Sequence, residues 1–79
     1  MPQNAYWVGR SIVAAYDPAE AVAVMERHEP AGKYQPEQVD ALLEEELWQP
    51  VEPGSPATVA TALSRCGHAQ LIRWDYPRQ

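Results

Sequence analysis

A single cysteine, Cys66, rules out an intramolecular disulfide, so the chain is not a disulfide-stapled secreted scaffold. Phenylalanine is absent. The large apolar volume must come from Trp7, Trp48 and Trp74, from Tyr6, Tyr16, Tyr34 and Tyr76, and from aliphatic residues. Lys33 is the only lysine and the C-terminal arginines are spread out, whereas a binder of phosphates normally concentrates both. That argues against direct nucleic-acid binding and against an anionic membrane surface. Gly9, Gly32, Gly54 and Gly67 are isolated from one another, which excludes a glycine-rich phosphate cradle. No apolar run approaches the ~20 residues of a membrane helix. The opening residues Met1 to Ala5 lack the basic and apolar stretches of a signal peptide, and a cytosolic location is expected.

What the chain does have is sorted charge. Residues 17–52 carry ten acids, among them Glu37, Asp40, Glu44, Glu45 and Glu46, against Arg27 and Lys33, a net of -8. The first sixteen residues contribute +1 and the last twenty-seven +2, giving the overall -5. A negative middle presents an oriented surface that steers basic partners. At 79 residues the chain makes one domain. A chain of this size buries only about 60% of its extended surface. Its 46% hydrophobic content is that of a folded protein.

Residues 6–16 (YWVGRSIVAAY) read as one strand, rich in aromatic and β-branched residues, with Gly9 marking a bulge. Both faces are partly apolar. Asp17-Pro18-Ala19-Glu20 is a helix start: Asp17 caps, Pro18 takes the first helical position, and Glu20 reaches back. This helix is expected to run to about Glu29, where Pro30 stops it. Pro36 opens a second helix to Trp48, burying Val39, Leu42, Leu43 and Leu47 at helical spacing. Glu37, Asp40 and Glu44 form an acidic row beside that face, widened by Glu45 and Glu46. The Pro-rich stretch 49–56, with Pro53 in its middle, is extended or turning. Ser55 and Pro56 start a third helix with Val59, Ala62, Leu63 and Cys66 inward and Gly67 just past its end. Residues 68–76 read as a final strand stopped by Pro77, with Gln70, Ile72, Trp74 and Tyr76 on one face and Ala69, Leu71, Arg73 and Asp75 on the other.

The expected fold is therefore a small α+β domain of β-α-α-α-β order, its helices packed on one face of the sheet. A two-stranded sheet is marginal alone. A short strand over residues 48–52, or a second copy forming a homodimer through the sheet edge, would complete it.

Candidate chemistry is sparse. Cys66-Gly67-His68 places a thiol two residues from an imidazole, but His28 is the only other histidine, and a zinc site needs about four ligands. The same pair as a nucleophile and its base needs a geometry that positions at one turn rarely supply. Glu26-Arg27-His28-Glu29 lacks the second histidine of HExxH, because position 32 is Gly. No metal or cofactor is expected. Neighbouring carboxylates on one exposed helix face share solvent rather than doing acid-base work. Their functional reading is a docking patch. Glu37, Asp40, Glu44 and Glu45 would meet a basic protein surface, with Trp48 as the tryptophan best placed to be exposed as an aromatic anchor.

In length, acidity and lack of catalytic motif the chain resembles the phage- and plasmid-encoded inhibitors of host defence or nucleic-acid-processing complexes, the anti-CRISPR proteins among them. The resemblance is one of profile and implies a non-enzymatic interaction protein with no transferable site residues. The other readings are an adaptor or subunit of an obligate complex, a homodimeric binding module, and an enzyme built on Cys66 and His68.

Overall fold

The computed structural model describes residues 3–52 and 54–76. Pro53, Pro77 and Arg78, which entered the sequence pattern as turn, strand stop and C-terminal charge, lie outside the described residues. The described chain is α+β, a four-stranded antiparallel sheet with three helices. Its strands are β1 (Asn4–Val8), β2 (Ser11–Ala15), β3 (Asp40–Ala41) and β4 (Gln70–Arg73), in the order β3-β1-β2-β4. The helices are α1 (Pro18–Met25), α2 (Glu44–Leu47) and α3 (Val59–Ser64), with a 3-10 turn at Pro36–Gln38. The element order is thus β-β-α-β-α-α-β, not β-α-α-α-β.

The first correction lies in residues 6–16. They form a hairpin, not one strand, with Gly9 and Arg10 as a two-residue loop. Gly9 takes φ +62, and Arg10 does not share the positive φ. Glycine at the first central position is the pattern of a type II′ turn, whose twist matches that of the strands. Once split, the segment supplies the two central strands. The four-strand sheet removes the reason to invoke a second copy, since the marginal two-stranded sheet does not occur.

Helices cover both faces of the sheet, not one. Tyr6 and Val8 of β1 with Val13 and Ala15 of β2 pack against Ala21, Val22, Val24 and Met25 of α1. The alternate residues Ala5, Trp7 and Ile12 pack with Val59 of α3, Leu42 and Tyr76, flanked by Leu47, Val51 and Leu63. Successive side chains of a strand point to opposite faces. Two cores therefore sit back to back, and the central strands are apolar on both sides, as in fully covered sheets.

Helix α1 starts as its sequence directs. The Asp17 carboxylate accepts from the Glu20 backbone N–H at 2.8 Å, and Glu20 accepts from the Tyr16 N–H at 2.7 Å. Asp17→Ala is expected to cost ~1 kcal/mol of stability, the usual value of a lost cap; an unchanged chemical-denaturation midpoint would contradict it. The helix ends at Met25 with Glu26 as its C-cap, short of the expected Glu29.

The expected second helix does not form. Residues 36–48 divide into the 3-10 turn, edge strand β3 and the single-turn helix α2. Backbone pairing with β1 competes with the helix and wins: Tyr6 and Trp7 face Ala41 and Asp40, and the Leu42 N–H donates to the Ala5 carbonyl at 3.0 Å. Val39 and Leu42 are buried as expected, each on a different face of the sheet, while Leu43 is exposed. The third helix begins at Thr58, whose hydroxyl accepts from the Thr61 N–H at 3.2 Å, and not at Ser55. Ser55 accepts from Ala57 in the preceding turn, and Gly67 does not adopt a left-handed φ. Residues 49–51 add an isolated bridge between Pro50 and Thr58 and no sheet strand.

A bulge in β4 decides where the last aromatics go. Val13 pairs with Leu71 but Ile12 pairs with Arg73, so Ile72 is the extra residue. Strict alternation would put Trp74 with Ile72 and Tyr76. The bulge re-aims the chain. Arg73 shares the Tyr76 side, its guanidinium 5.2 Å from that ring and donating to the Val51 carbonyl at 2.6 Å. Trp74 turns toward the α1 side and donates to Glu29.

Candidate functional site

The acidic residues singled out by sequence do not share one helix. Glu37 lies in the 3-10 turn that packs near α1, Asp40 on the edge strand, and Glu44 and Glu45 in α2, with Trp48 as its C-cap. They wrap around the β3 edge of the sheet. Glu44 and Glu45 precede Trp48 by four and three positions, which on a helical turn places them beside it. All five residues are exposed. Asp40 has a structural use as well, because a charge on a short edge strand discourages edge-to-edge pairing.

Helix α2 has two sides. Leu47 packs inward on the Trp7 core. Glu46 turns back to accept from the Leu43 N–H at 2.8 Å and closes the first turn, which takes it out of the acidic surface. Outward stand Leu43 at 60% exposure and Trp48 at 64%. Helical spacing gave no sign of Leu43 at this surface. It was expected inside, and it becomes exposed because the chain reaches α2 from an edge strand.

The other residues with chemical potential are dispersed. The Cys66 thiol donates to the Ala62 carbonyl at 3.2 Å, and His68 is exposed beyond it. Among the described residues no three His, Cys, Asp or Glu side chains gather as a metal-ligand set. No helix among them is long and apolar enough to cross a membrane.

A second cluster, invisible in the sequence, forms at the hairpin end of the sheet. The Glu29 side chain is only 11% exposed and receives the Lys33 ammonium at 2.8 Å and the Trp74 indole N–H at 2.9 Å. Lys33, then Trp74, hold the Glu29 carboxyl at about 2, well below its ordinary 4.5, against the opposing effect of burial. Lys33 is raised in turn by Glu29, and Tyr34 is raised by burial and then by Glu29. Lys33 lies beyond the end of α1 and Trp74 is 45 residues from Glu29, so helical spacing shows neither contact. Because the folded pKa of Glu29 lies below its unfolded value, its contribution is present above about pH 4.5 and is lost as pH falls toward about 2. The stability difference between wild type and Glu29→Gln should therefore shrink across that acid range in urea melts. A difference independent of pH would show that the ionised carboxylate contributes nothing.

Comparison with protein-family models, with curated proteins and with solved structures finds no match to this chain.

Proposed function

We propose that this is a non-enzymatic interaction protein that docks on a basic protein surface through α2 and its flanks. The observation that supports the reading is the joint exposure of Leu43 and Trp48 beside Glu44 and Glu45, on a helix whose inner side is already packed. A domain with a small core gains by burying large apolar side chains, and leaving two of them outward beside acids makes an anchor with a charged rim. The rim carries Glu37 and Asp40 as well. The preferred partner is a basic surface of the kind that holds nucleic acid, as in the host defence or nucleic-acid-processing complexes blocked by anti-CRISPR-like inhibitors. A negative patch competes there by occupying the cations that bind phosphate.

The test begins with affinity capture of the partner from lysate, followed by binding kinetics across a salt series. Glu44→Lys/Glu45→Lys should slow association by roughly 10-fold or more at low salt, because rim charges act on encounter. Stability should stay within about 0.5 kcal/mol, as for other exposed substitutions. Trp48→Ala should instead speed dissociation, at a cost of about 2 kcal/mol or more if it is an interface anchor. Equal association rates for wild type and the double variant at low salt would refute charge-led docking.

A further inference from the structure

The hairpin turn, the loop after α1 and the residues following β4 enclose a cleft of about 260 Å³ on the side of the molecule built around Glu29. Pockets that enclose drug-sized ligands run ~300–1,000 Å³, so this one suits a single-ring molecule. We infer that the cleft is a binding site for a small planar carboxylate, with the Trp74 ring as its stacking wall and Arg10 and Lys33 as its cationic contacts. This site is independent of docking through α2.

Three observations support it. First, the walls are set in place before any ligand arrives. Glu29 ties Trp74 and Lys33 together at 2.9 and 2.8 Å, and Lys33 stands 5.4 Å from the Tyr34 ring centre. Gly9 lets Tyr34 lie against the turn, since a Cβ there would sit 2.8 Å from its ring and hydroxyl. Second, the rim is strained. Asp75 is the one non-glycine residue with a positive φ, +54, among those described. It is held there by its N–H donating to Ser11 at 3.0 Å and by the Tyr76 N–H donating to the Arg10 carbonyl at 2.7 Å. Such outliers persist where the surrounding structure over-determines them, and they concentrate at ligand sites. Third, both cations of the lining keep unused donors. Glu29 accepts from Trp74 through Oε1 and pairs with Lys33 through Oε2. Lys33 has three donors, one of them on Glu29, and Arg10 has five, with only a 3.6 Å contact to Asp75 between largely exposed side chains. Exposed pairs of that kind are weak, so a carboxylate can replace Asp75 on the guanidinium, where bidentate geometry favours it. The 58% exposed indole of Trp74, its N–H already engaged, offers a ring face to a planar body.

The test is a titration of the full chain with benzoate, followed by the Trp74 indole N–H resonance, which Trp74→Phe identifies. Saturable movement is expected. Arg10→Gln should bind roughly tenfold more weakly, as for loss of one charge-assisted pair, with the wild-type spectrum otherwise retained. Inorganic phosphate should bind more weakly than benzoate, having no planar body. A linear, non-saturating response overturns the site. So does a benzoate affinity unchanged in Arg10→Gln, and phosphate binding as tightly as benzoate overturns the stacking role of Trp74.

Discussion

Replacing Trp7 by alanine is expected to remove a large share of the domain's stability. Trp7 is 3% exposed, sits on a central strand, and meets the Tyr76 ring edge-on with centres 5.7 Å apart. Its neighbours in that core are Ile12, Leu42 and Val59. Removing a buried tryptophan costs ~3–5 kcal/mol through lost burial and the cavity left behind. A 79-residue domain has only ~4–12 kcal/mol in total, at ~0.05–0.15 per residue. The variant should lose its cooperative melt or have a midpoint far below that of wild type by circular dichroism. Leu43→Ala, truncating a side chain of similar chemistry that faces solvent, should stay within about 0.5 kcal/mol. If the two variants melt alike, the division between the Trp7 core and the α2 surface is wrong.

The next largest effect is expected at Gly9. Alanine there must adopt φ +62, which costs an L-residue ~1–2 kcal/mol. It must also displace Tyr34, whose ring carbon and hydroxyl lie 2.8 Å from the new methyl. The two costs are separable. In a Tyr34→Ala background the steric part disappears and only the backbone part remains, so the double-mutant cycle should show favourable coupling between the changes. Additive losses would mean that Tyr34 yields freely and that the backbone conformation alone demands glycine. A second readout follows from position: displacing Tyr34 disturbs Lys33 and Glu29, so Gly9→Ala should also shift the Trp74 indole resonance.

The candidate surface was only partly legible in the sequence. Glu44, Glu45 and Trp48 were found because charge and aromatic character are properties of residues. Their arrangement was not, since the row through Glu37 and Asp40 assumed a helix that the chain does not make. Helical spacing places Leu43 in the core on the same assumption. The Glu29 cluster joins the loop after α1 to the residue following β4, and composition carries no trace of such a meeting.

The sequence by itself determined the α+β class, the start of α1 and the apolar character of both faces of residues 6–16. The cap at Asp17 is settled among atoms three residues apart, and local hydrogen bonding needs no other part of the chain. The tertiary structure alone decided the hairpin, the edge strand and the β4 bulge. Gly9-Arg10 is a weak turn signal beside Asn-Gly, and it becomes a turn because Val8 and Ser11 can pair while both strands are buried on two sides. Residues 39–42 have helical spacing, yet the open edge of β1 offers backbone partners that a lone segment lacks. The extra residue at Ile72 reverses which face Arg73 and Trp74 occupy, and register is a property of two strands together.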